Sequence, residues 1–279
     1  MQTGVYSFSV GEFDCIALLD SFMPYPISTL FAGVPRVERD IVRTRVGERS
    51  EEIIVPYICL AVQTAAGWVL VDSGLGFDEE HPDVGQLLPN LHAAGIEPAE
   101  IATVILTHGH GDHIGGATVA EGVPVYPNAR YVMHQAEWDF WNSEEILRKA
   151  GREEAIPFYR AALPSIAGRF DLIDGETELL PGVRAIPAVG HTPGHLVVEF
   201  SSQGERLLYI SDLVAHPLHV EHPDWTMVFD RELAEAVATR RQWLERAADD
   251  GSLVFAFHFP FPGLGHIVPE GTGFRWSAL

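Results

Sequence analysis

A dense group of metal-ligand side chains lies at residues 108–113, where three histidines and one aspartate occupy six consecutive positions. Imidazole and carboxylate groups suit zinc and neighbouring divalent metals as ligands. Gly109 and Gly111 let the chain turn without Cβ clashes, so that alternate side chains can converge on one point. The whole chain has 13 histidines in 279 residues, so three in one short run are not expected by chance. This run therefore predicts a metal site.

Three later segments, at 190–195, 209–212 and 255–259, each place a histidine or an aspartate after a strand-like apolar stretch. Active-site groups gather at the ends of strands in layered folds of strands and helices. These segments are therefore candidates for the rest of the metal site.

The order of predicted elements favours an α+β fold, an αββα sandwich in which two facing mixed β-sheets carry helices on their outer faces. Apolar runs separated by glycine and proline turns predict strands at 53–63, 67–72, 101–107, 123–125, 130–133, 195–200, 206–210 and 253–259, with two more inside 172–189. Helices are predicted at 82–94, 134–151 and 231–248, the last with Asp230 as its N-cap.

Composition favours one large domain. The chain has 47% hydrophobic residues and a mean hydropathy of +0.08, and no linker-like tract divides it. We therefore expect a single domain over residues 1–279, in which 1–50 include an N-terminal arm that lines the pocket or a dimer interface. No leader peptide and no bilayer-spanning apolar run are recognised, so we expect a cytoplasmic protein without membrane contact; a homodimer is left open.

The charge balance argues against nucleic acid as a partner. The formal net charge is −21, from 39 acidic and 18 basic residues, and such a surface repels a polyanionic backbone. The two cysteines, Cys15 and Cys59, lie in apolar stretches away from the ligand motifs. We expect them to be buried side chains and neither disulfide-bonded nor metal ligands.

In order, residue type and approximate spacing, these motifs resemble those of the metallo-β-lactamase superfamily across nearly the whole chain. The resemblance implies two divalent metal ions, with zinc favoured and manganese, iron or cobalt also compatible with the ligands. It also implies that Asp72 and His195 support ligands from behind, although a plain turn role for Asp72 is the alternative. It assigns the ligands as follows: His108, His110 and His191 on one metal, Asp112, His113 and His258 on the other, and Asp212 bridging both.

The same resemblance implies hydrolysis by a hydroxide that bridges the two metals. Two divalent ions about 3.5–4 Å apart can share a water, lower its pKa and polarise the oxygen of a substrate. Asp112 is the implied catalytic residue, because it can orient the hydroxide and carry a proton to the leaving group. The chain has no Gly-x-Ser-x-Gly motif, so a serine nucleophile is not expected.

Within the superfamily, residues 211–214 and the tail at 258–276 look most like the branch of methyl parathion hydrolase and related lactonases. That branch implies hydrolysis of lactones, aryl esters or organophosphate triesters, with a small uncharged ester or lactone as substrate. One departure is that Val214 and Ala215 stand where well-known lactonases of the superfamily have a tyrosine. A phosphodiesterase or nuclease, a glyoxalase II-like thioesterase and a non-catalytic metal-binding protein are the alternatives.

An apolar mouth is expected around the metals, and it would favour uncharged esters over charged metabolites. Leu30 and Met227 lie among the candidate wall segments, and ordinary core packing is the alternative for every candidate. The candidates are Phe22, Phe31, His216, His219, Trp225, Phe229, Phe259 and Phe261.

Overall fold

Two β-sheets, each of seven strands over the described residues, form the centre of the fold. The computed structural model describes residues 4–46, 51–76, 83–119, 122–149, 151, 163–271 and 273–279. The first sheet contains β1 (Val5–Val10), β2 (Phe13–Pro26), β3 (Glu52–Thr64), β4 (Gly67–Val71), β5 (Ile101–Ile105), β6 (Arg130–His134) and β7 (Phe170–Ile173). The second contains β8 (Thr177–Leu180), β9 (Val183–Pro187), β10 (Leu196–Ser202), β11 (Glu205–Tyr209), β12 (Leu253–Phe255), β13 (Leu264–Glu270) and β14 (Gly273–Ala278).

Both sheets are mixed. In the first, β1 to β4 pair antiparallel and β4 to β7 pair parallel. In the second, every pairing is antiparallel except that between β11 and β12. Parallel neighbours require a crossover connection, and the helices within 87–149 and 218–250 fall in such connections. Two further helices, within 27–46, lie in the connection between the antiparallel strands β2 and β3.

The core lies between the sheets, with a further apolar layer under a long helix. One buried cluster joins residues of both sheets, among them Leu60 of β3 and Val198 of β10. Val197, the neighbour of Val198, points to the opposite face of β10 and packs with Trp243 in a separate cluster. The predicted arrangement of two facing mixed sheets with helices outside them is therefore observed.

The helices are short, apart from the one that covers the second sheet. They are α1 (Ile27–Leu30), α2 (Arg39–Val46), α3 (Leu87–Ala93), α4 (Gly111–Ile114), α5 (Gln135–Asn142), α6 (Glu144–Lys149), α7 (Leu218–Glu221) and α8 (Leu233–Asp250). Among the helices of the described ranges, none combines the length and apolar character that a membrane crossing demands.

Several predicted boundaries are wrong. The strand predicted at 123–125 is replaced by one isolated bridge between Thr118 and Pro124. The helix predicted at 134–151 is divided, because Ser143 has extended backbone angles between α5 and α6. The strands predicted at 101–107 and 253–259 end at residues 105 and 255, where the chain turns into ligand loops. Of the helix predicted at 82–94, residue 82 lies outside the described residues and the helix itself is α3.

β1, β13 and β14 were not predicted as strands, whereas β2 contains the apolar, strand-like stretch that starts at Cys15. Residues 5–10 and 13–26 form β1 and β2, so much of the expected N-terminal arm belongs to the first sheet. The tail forms the hairpin of β13 and β14 at the edge of the second sheet. Cys15 and Cys59 are buried in β2 and β3, and burial raises the pKa of the Cys15 thiol to about 12.

Candidate metal centre

The predicted ligands all lie in segments that follow the ends of strands, and the fold brings these strand ends together at one end of the two sheets. The loop after β5 carries His108 and His110, and the single turn α4 carries Asp112 and His113. The ligands from the second sheet follow three different strands: His191 after β9, Asp212 after β11 and His258 after β12.

These seven side chains form two groups whose ligand atoms lie within 4.8 Å of one another inside each group. The first ligand group is His108, His110, His191 and Asp212, and the second ligand group is Asp112, His113 and His258. Asp112 is the least buried of them, with 15% of its side chain exposed.

Asp212 lies between the groups and offers one carboxylate oxygen to each. Its Oδ2 is 3.4 Å from His191 Nε2 and 3.8 Å from His108 Nε2. Its Oδ1 is 3.3 Å from the Nε2 atoms of both His113 and His258. This is the geometry required of a carboxylate that bridges two cations.

The tautomers of three histidines show that the donor set fits metal ions. His191 Nδ1 lies 3.0 Å from Asp230 Oδ1, His113 Nδ1 lies 2.8 Å from Asp72 Oδ2, and His258 Nδ1 lies 3.2 Å from the carbonyl oxygen of Pro56. An acceptor at Nδ1 places the ring proton there, so a neutral ring presents a lone pair at Nε2. Each of these Nε2 atoms faces an oxygen of Asp212, an acceptor, so a positive charge is required between them, either a metal ion or a second ring proton.

The electrostatics of the two groups differ. Burial and the neighbouring His113 hold the pKa of His108 well below its usual range. Burial alone would also lower the pKa of His113, but Asp212, Asp72 and Asp112 outweigh it and raise that pKa well above normal. For Asp212, His258 and His113 outweigh the opposing effect of burial and hold the pKa well below its usual range, so this carboxylate stays ionised.

Asp72, at the end of β4, connects the ends of β5 and β11 to the second ligand group. Its carboxylate accepts hydrogen bonds from the backbone N–H of Thr107 at 2.8 Å and from the Tyr209 hydroxyl at 2.9 Å, besides the His113 ring. Asp72 has a φ of 59°, a left-handed conformation that costs a non-glycine residue about 1–2 kcal/mol. Its contacts hold it in this conformation, as a support for His113.

Asp230 performs the corresponding task for the first ligand group. It is buried and accepts hydrogen bonds from His191, from the backbone N–H of Met227 at 3.0 Å and from the guanidinium of Arg240 at 3.2 Å. The prediction that Asp230 caps α8 is wrong, because the N-cap is Glu232. No local pattern links Asp230 to a histidine 39 positions earlier.

His195 lies directly behind the bridging aspartate. Its Nδ1 faces the carbonyl oxygen of Ala188 at 3.1 Å, and its Nε2 accepts the backbone N–H of Asp212 at 3.2 Å. Both ring nitrogens are therefore used by backbone groups. Burial and the nearby His191 lower the pKa of His195 to about 3, so its ring is neutral and supports the Asp212 turn.

Glu137 was not predicted from the sequence, although it joins the loop that carries His108 and His110 to the loop that carries His191. Its fully buried carboxylate accepts the backbone N–H of Gly109 at 2.9 Å and that of Gly194 at 2.8 Å, and it also contacts the indole N–H of Trp141. A Cβ on Gly109 would lie 2.3 Å from Trp141, so this close approach requires glycine. The available sequence signal was only an acidic residue at the start of a short helix.

A pocket opens above both ligand groups. On its floor lie His110, Gly111, Asp112, Asp212 and His258. Six further residues complete its lining, and five of them are apolar: Tyr25, Leu30, Val55, Ala215, Met227 and Phe229.

Of the eight residues predicted to line the pocket, Phe229 does so. Phe22 does not, because it points outwards from β2 and is 54% exposed. Phe259 is buried against Trp276 in the layer below α8, and Phe261 packs half-buried on the main core.

The other four predicted wall residues form an aromatic cluster away from the pocket surface. The Phe31 ring lies 5.4 Å from that of His216, 4.9 Å from that of His219 and 5.8 Å from that of Trp225. His219 Nε2 lies 3.0 Å from the carbonyl oxygen of Leu30, so this cluster supports a pocket residue. Burial lowers the pKa of His216 to about 4.

Residues 58–258 match the family model of the metallo-beta-lactamase superfamily. The N-acyl homoserine lactonase of a Bacillus species is 28% identical over 181 residues, which are 57% of this chain and 65% of the relative. AiiA of Bacillus thuringiensis subsp. kurstaki, also an N-acyl homoserine lactonase, is 27% identical over 56% of this chain and 63% of its own length. The matches thus span less than two thirds of these relatives.

Two solved structures resemble nearly the whole chain. AidC, a dizinc quorum-quenching lactonase in complex with a product, N-hexanoyl-L-homoserine, has a TM-score of 0.88 and 29% identity, covering 99% of this chain and 97% of AidC. AbOPH, a hydrolase in the beta lactamase superfamily, has a TM-score of 0.85 and 27% identity, covering 100% of this chain and 98% of AbOPH.

Proposed function

Because this chain belongs to the metallo-beta-lactamase superfamily, we propose that it is a dinuclear zinc hydrolase that opens lactone rings. The observation that carries this proposal is the Asp212 carboxylate, which offers one oxygen to each of two ligand groups on the floor of a pocket whose wall is mostly apolar.

The two ligand groups would each hold one divalent ion. His108, His110 and His191 would bind the first and Asp112, His113 and His258 the second, with Asp212 between them. When bound, two such ions lower the pKa of a shared water and polarise a substrate carbonyl. Zinc suits a set of histidine and carboxylate ligands, and the similar AidC is a dizinc protein.

Asp112 is the residue best placed to move a proton. Its Oδ2 lies 3.5 Å from His258 Nε2 and 3.6 Å from His113 Nε2, while part of its side chain faces the pocket. Lactone hydrolysis adds water to the carbonyl carbon, breaks the ring C–O bond and transfers a proton to the ring oxygen. Asp112 would take that proton from the attacking water and deliver it to the ring oxygen.

The wall of the pocket favours a small uncharged substrate. Leu30, Val55, Met227 and Phe229 offer apolar surface to an acyl chain. The net charge of −21 disfavours polyanionic substrates such as nucleic acid. Aryl esters and organophosphate triesters share the uncharged electrophilic centre of a lactone, so they are the appropriate competing substrates.

A substrate panel tests this proposal. Zinc-loaded enzyme would be assayed with N-hexanoyl homoserine lactone, 4-nitrophenyl acetate, a dialkyl aryl phosphotriester, a thioester and bis(4-nitrophenyl) phosphate. We expect the largest kcat/KM for the lactone and loss of activity on removal of zinc, reversed by adding it back. A larger kcat/KM for the phosphodiester or the thioester would contradict the lactonase proposal, and full metal content with no turnover would contradict hydrolase function.

A further inference from the structure

The pocket wall contains one hydroxyl among the described residues that line it, that of Tyr25. The histidine and aspartate side chains of the floor are assigned to metal ions, and the other side chains of the wall are apolar. Val214 and Ala215, which follow the bridging Asp212, also carry no hydrogen-bond donor in their side chains. Tyr25 is therefore the one side chain of this lining that can still donate a hydrogen bond to a substrate.

The position of the Tyr25 ring is fixed from two sides. Phe229 packs edge-on against it, with the ring centres 5.9 Å apart. The Tyr25 hydroxyl lies 2.5 Å from the hydroxyl of Tyr57 on the neighbouring strand β3. Tyr57 is buried, and its ring packs 5.1 Å from the ring of His258. The paired hydroxyls are thus anchored beside the second ligand group.

The hydrogen bond between the two hydroxyls has a preferred direction, with one of them as the donor. Tyr57 is 1% exposed, and the Tyr25 oxygen is its hydrogen-bond partner among the described residues. A buried hydroxyl proton without an acceptor is costly, so the Tyr57 O–H donates to the Tyr25 oxygen. The proton of Tyr25 is then directed elsewhere, and the pocket is the open side.

We propose that the Tyr25 hydroxyl donates a hydrogen bond to the carbonyl oxygen of the bound substrate and that Tyr57 positions it to do so. This inference rests on the proposed ester- or lactone-hydrolysing function. Attack of water on the carbonyl carbon builds negative charge on that oxygen, and a preorganised donor stabilises it more strongly there than in the ground state. No proton leaves Tyr25 in this step.

The protonation state of Tyr25 agrees with a donor role. Burial and the nearby carboxylate of Asp112 raise the pKa of Tyr25 to about 12. The Tyr25 hydroxyl is therefore protonated at neutral pH, so Tyr25 acts as a donor and not as a base.

The decisive variant is Tyr25→Phe, which keeps the ring between Phe229 and Tyr57 and removes only the hydroxyl. For lactones we expect kcat/KM to fall about 100-fold, mostly in kcat, at unchanged zinc content. The thermal unfolding temperature should fall by a few degrees, because the buried Tyr57 hydroxyl loses its acceptor. Tyr57→Phe is the matched control, and a smaller loss of about fivefold is expected, because the donor is misaligned but present. Tyr25→Phe with wild-type kcat, or a larger loss in Tyr57→Phe than in Tyr25→Phe, would overturn the assignment.

The dependence on the leaving group tests which oxygen receives the hydrogen bond. In a series of substituted aryl acetates, a donor to the carbonyl oxygen gives the same fold-loss in Tyr25→Phe for every leaving group. A loss that grows steeply with the pKa of the leaving phenol contradicts the carbonyl assignment, because it places the donor on the leaving oxygen.

A second readout needs no turnover. An N-acyl homoserine lactam labelled with 13C at the ring carbonyl would bind without being opened, and we expect the Tyr25→Phe variant to bind it about tenfold more weakly. The downfield shift of the labelled carbon on binding should also be smaller in the variant. Identical affinity and identical shift would reject the proposal for Tyr25. If wild type binds the lactam in this way but opens no lactone, the lactonase proposal fails and the role of Tyr25 stands.

Discussion

The metal-binding floor of the pocket and its apolar wall are held in place in different ways. His113, His191 and His258 on the floor are each fixed by an acceptor at Nδ1, and the floor is built on the ends of central strands. The wall comes from the exposed end of β2, from Val55 of β3, from α1 and from the chain after β11, and along 22–26 of β2 exposed and half-buried residues alternate. The floor can therefore determine the reaction, while the wall determines which substrate is bound.

Three buried carboxylates account for the rigidity of the floor. Asp72 holds His113, Asp230 holds His191, and Glu137 holds the backbone of both ligand loops. Each accepts at least three hydrogen bonds, which offset the desolvation of a buried charge. Behind the wall, His219 bonds the backbone of Leu30 and of Ala215, and Asp230 accepts the backbone N–H of Met227. These hydrogen bonds fix the backbone of the wall, whereas its apolar side chains are held by packing.

The most severe test of this comparison is Asp212→Ala, which removes the carboxylate common to both ligand groups. We expect zinc content to fall well below two per chain and kcat/KM to fall more than about 1,000-fold, because two ions lose their shared ligand. Atomic emission on dialysed protein and lactone kinetics measure the two effects. His92→Ala, an exposed histidine outside the ligand groups, is the control and should keep both properties. Full turnover with stoichiometric zinc in Asp212→Ala would show that the bridge is assigned wrongly.

β2, which carries Tyr25 of the wall, also contains the buried carboxylate of Asp20, outside the pocket lining. This carboxylate accepts the backbone N–H groups of Leu75 at 3.0 Å and Leu87 at 3.2 Å and the Ser21 hydroxyl at 2.9 Å. Burial raises the pKa of Asp20 from 3.8 to about 6, against these hydrogen bonds and with a smaller contribution from Asp112. The folded state therefore binds a proton more tightly at Asp20 than the unfolded state does.

The sign of the resulting pH dependence follows from this difference. Stability contributed by proton binding at Asp20 is fully present below about pH 4 and is lost as the pH rises through about 6. The difference between 3.8 and about 6 corresponds to about 3 kcal/mol of unfolding free energy. In Asp20→Asn we expect this contribution to vanish. The unfolding free energy of wild type should therefore fall by about that amount relative to the variant between pH 4 and pH 7.

Urea unfolding at a series of pH values measures this difference. Asp249→Asn, a change at an exposed aspartate on α8, is the control and should follow the wild-type curve. If the unfolding free energy of Asp20→Asn also changes in parallel with that of wild type from pH 4 to pH 7, then Asp20 is not the residue that titrates.

A change of intermediate size is expected when one supporting carboxylate loses its charge. Asp230→Asn should weaken zinc binding in the first ligand group and Asp72→Asn in the second, each by about 10- to 100-fold, because the supported histidine loses its orienting anion. Equilibrium dialysis over graded free zinc should show one tight and one weakened ion in each variant. Asp171→Asn, at an exposed surface ion pair, is the control. Equal weakening of both ions in both variants would contradict the separate support of the two groups.

The floor could be predicted from the sequence because its signals are local. Four ligands lie in one hexapeptide, and the other three each follow a strand-like run, so that the structure brings together all seven predicted side chains. The supporting role of Asp72 was predicted from the resemblance to the superfamily, which has an aspartate turn at the corresponding place. Glu137 and Asp230 were missed, because each acts on residues between 28 and 57 positions away in the chain and no local pattern records that contact.

The wall was largely missed for a different physical reason. Any aromatic residue near a ligand motif can pack inwards, outwards or into a pocket, and the choice depends on neighbouring elements. Phe22 and Tyr25 lie three positions apart on β2, yet Phe22 points to solvent and Tyr25 lines the pocket. The two sheets were recognised from their central strands, whereas β1, β13 and β14 carry weaker apolar patterns and were not predicted as strands.

The smallest expected effect comes from the wall itself, and it compares Phe229→Ala with Phe22→Ala. Phe229 lines the pocket and packs 6.0 Å from the ring of His110, so its removal should raise KM for N-hexanoyl homoserine lactone by about tenfold at unchanged zinc content. The increase should shrink as the acyl chain shortens, because each buried methylene contributes at most about 0.8 kcal/mol. Phe22→Ala should leave KM unchanged for every chain length, since Phe22 faces solvent. If Phe22→Ala raised KM as much as Phe229→Ala, the substrate site would include the solvent-facing side of β2, and the wall would extend beyond the residues that line the pocket.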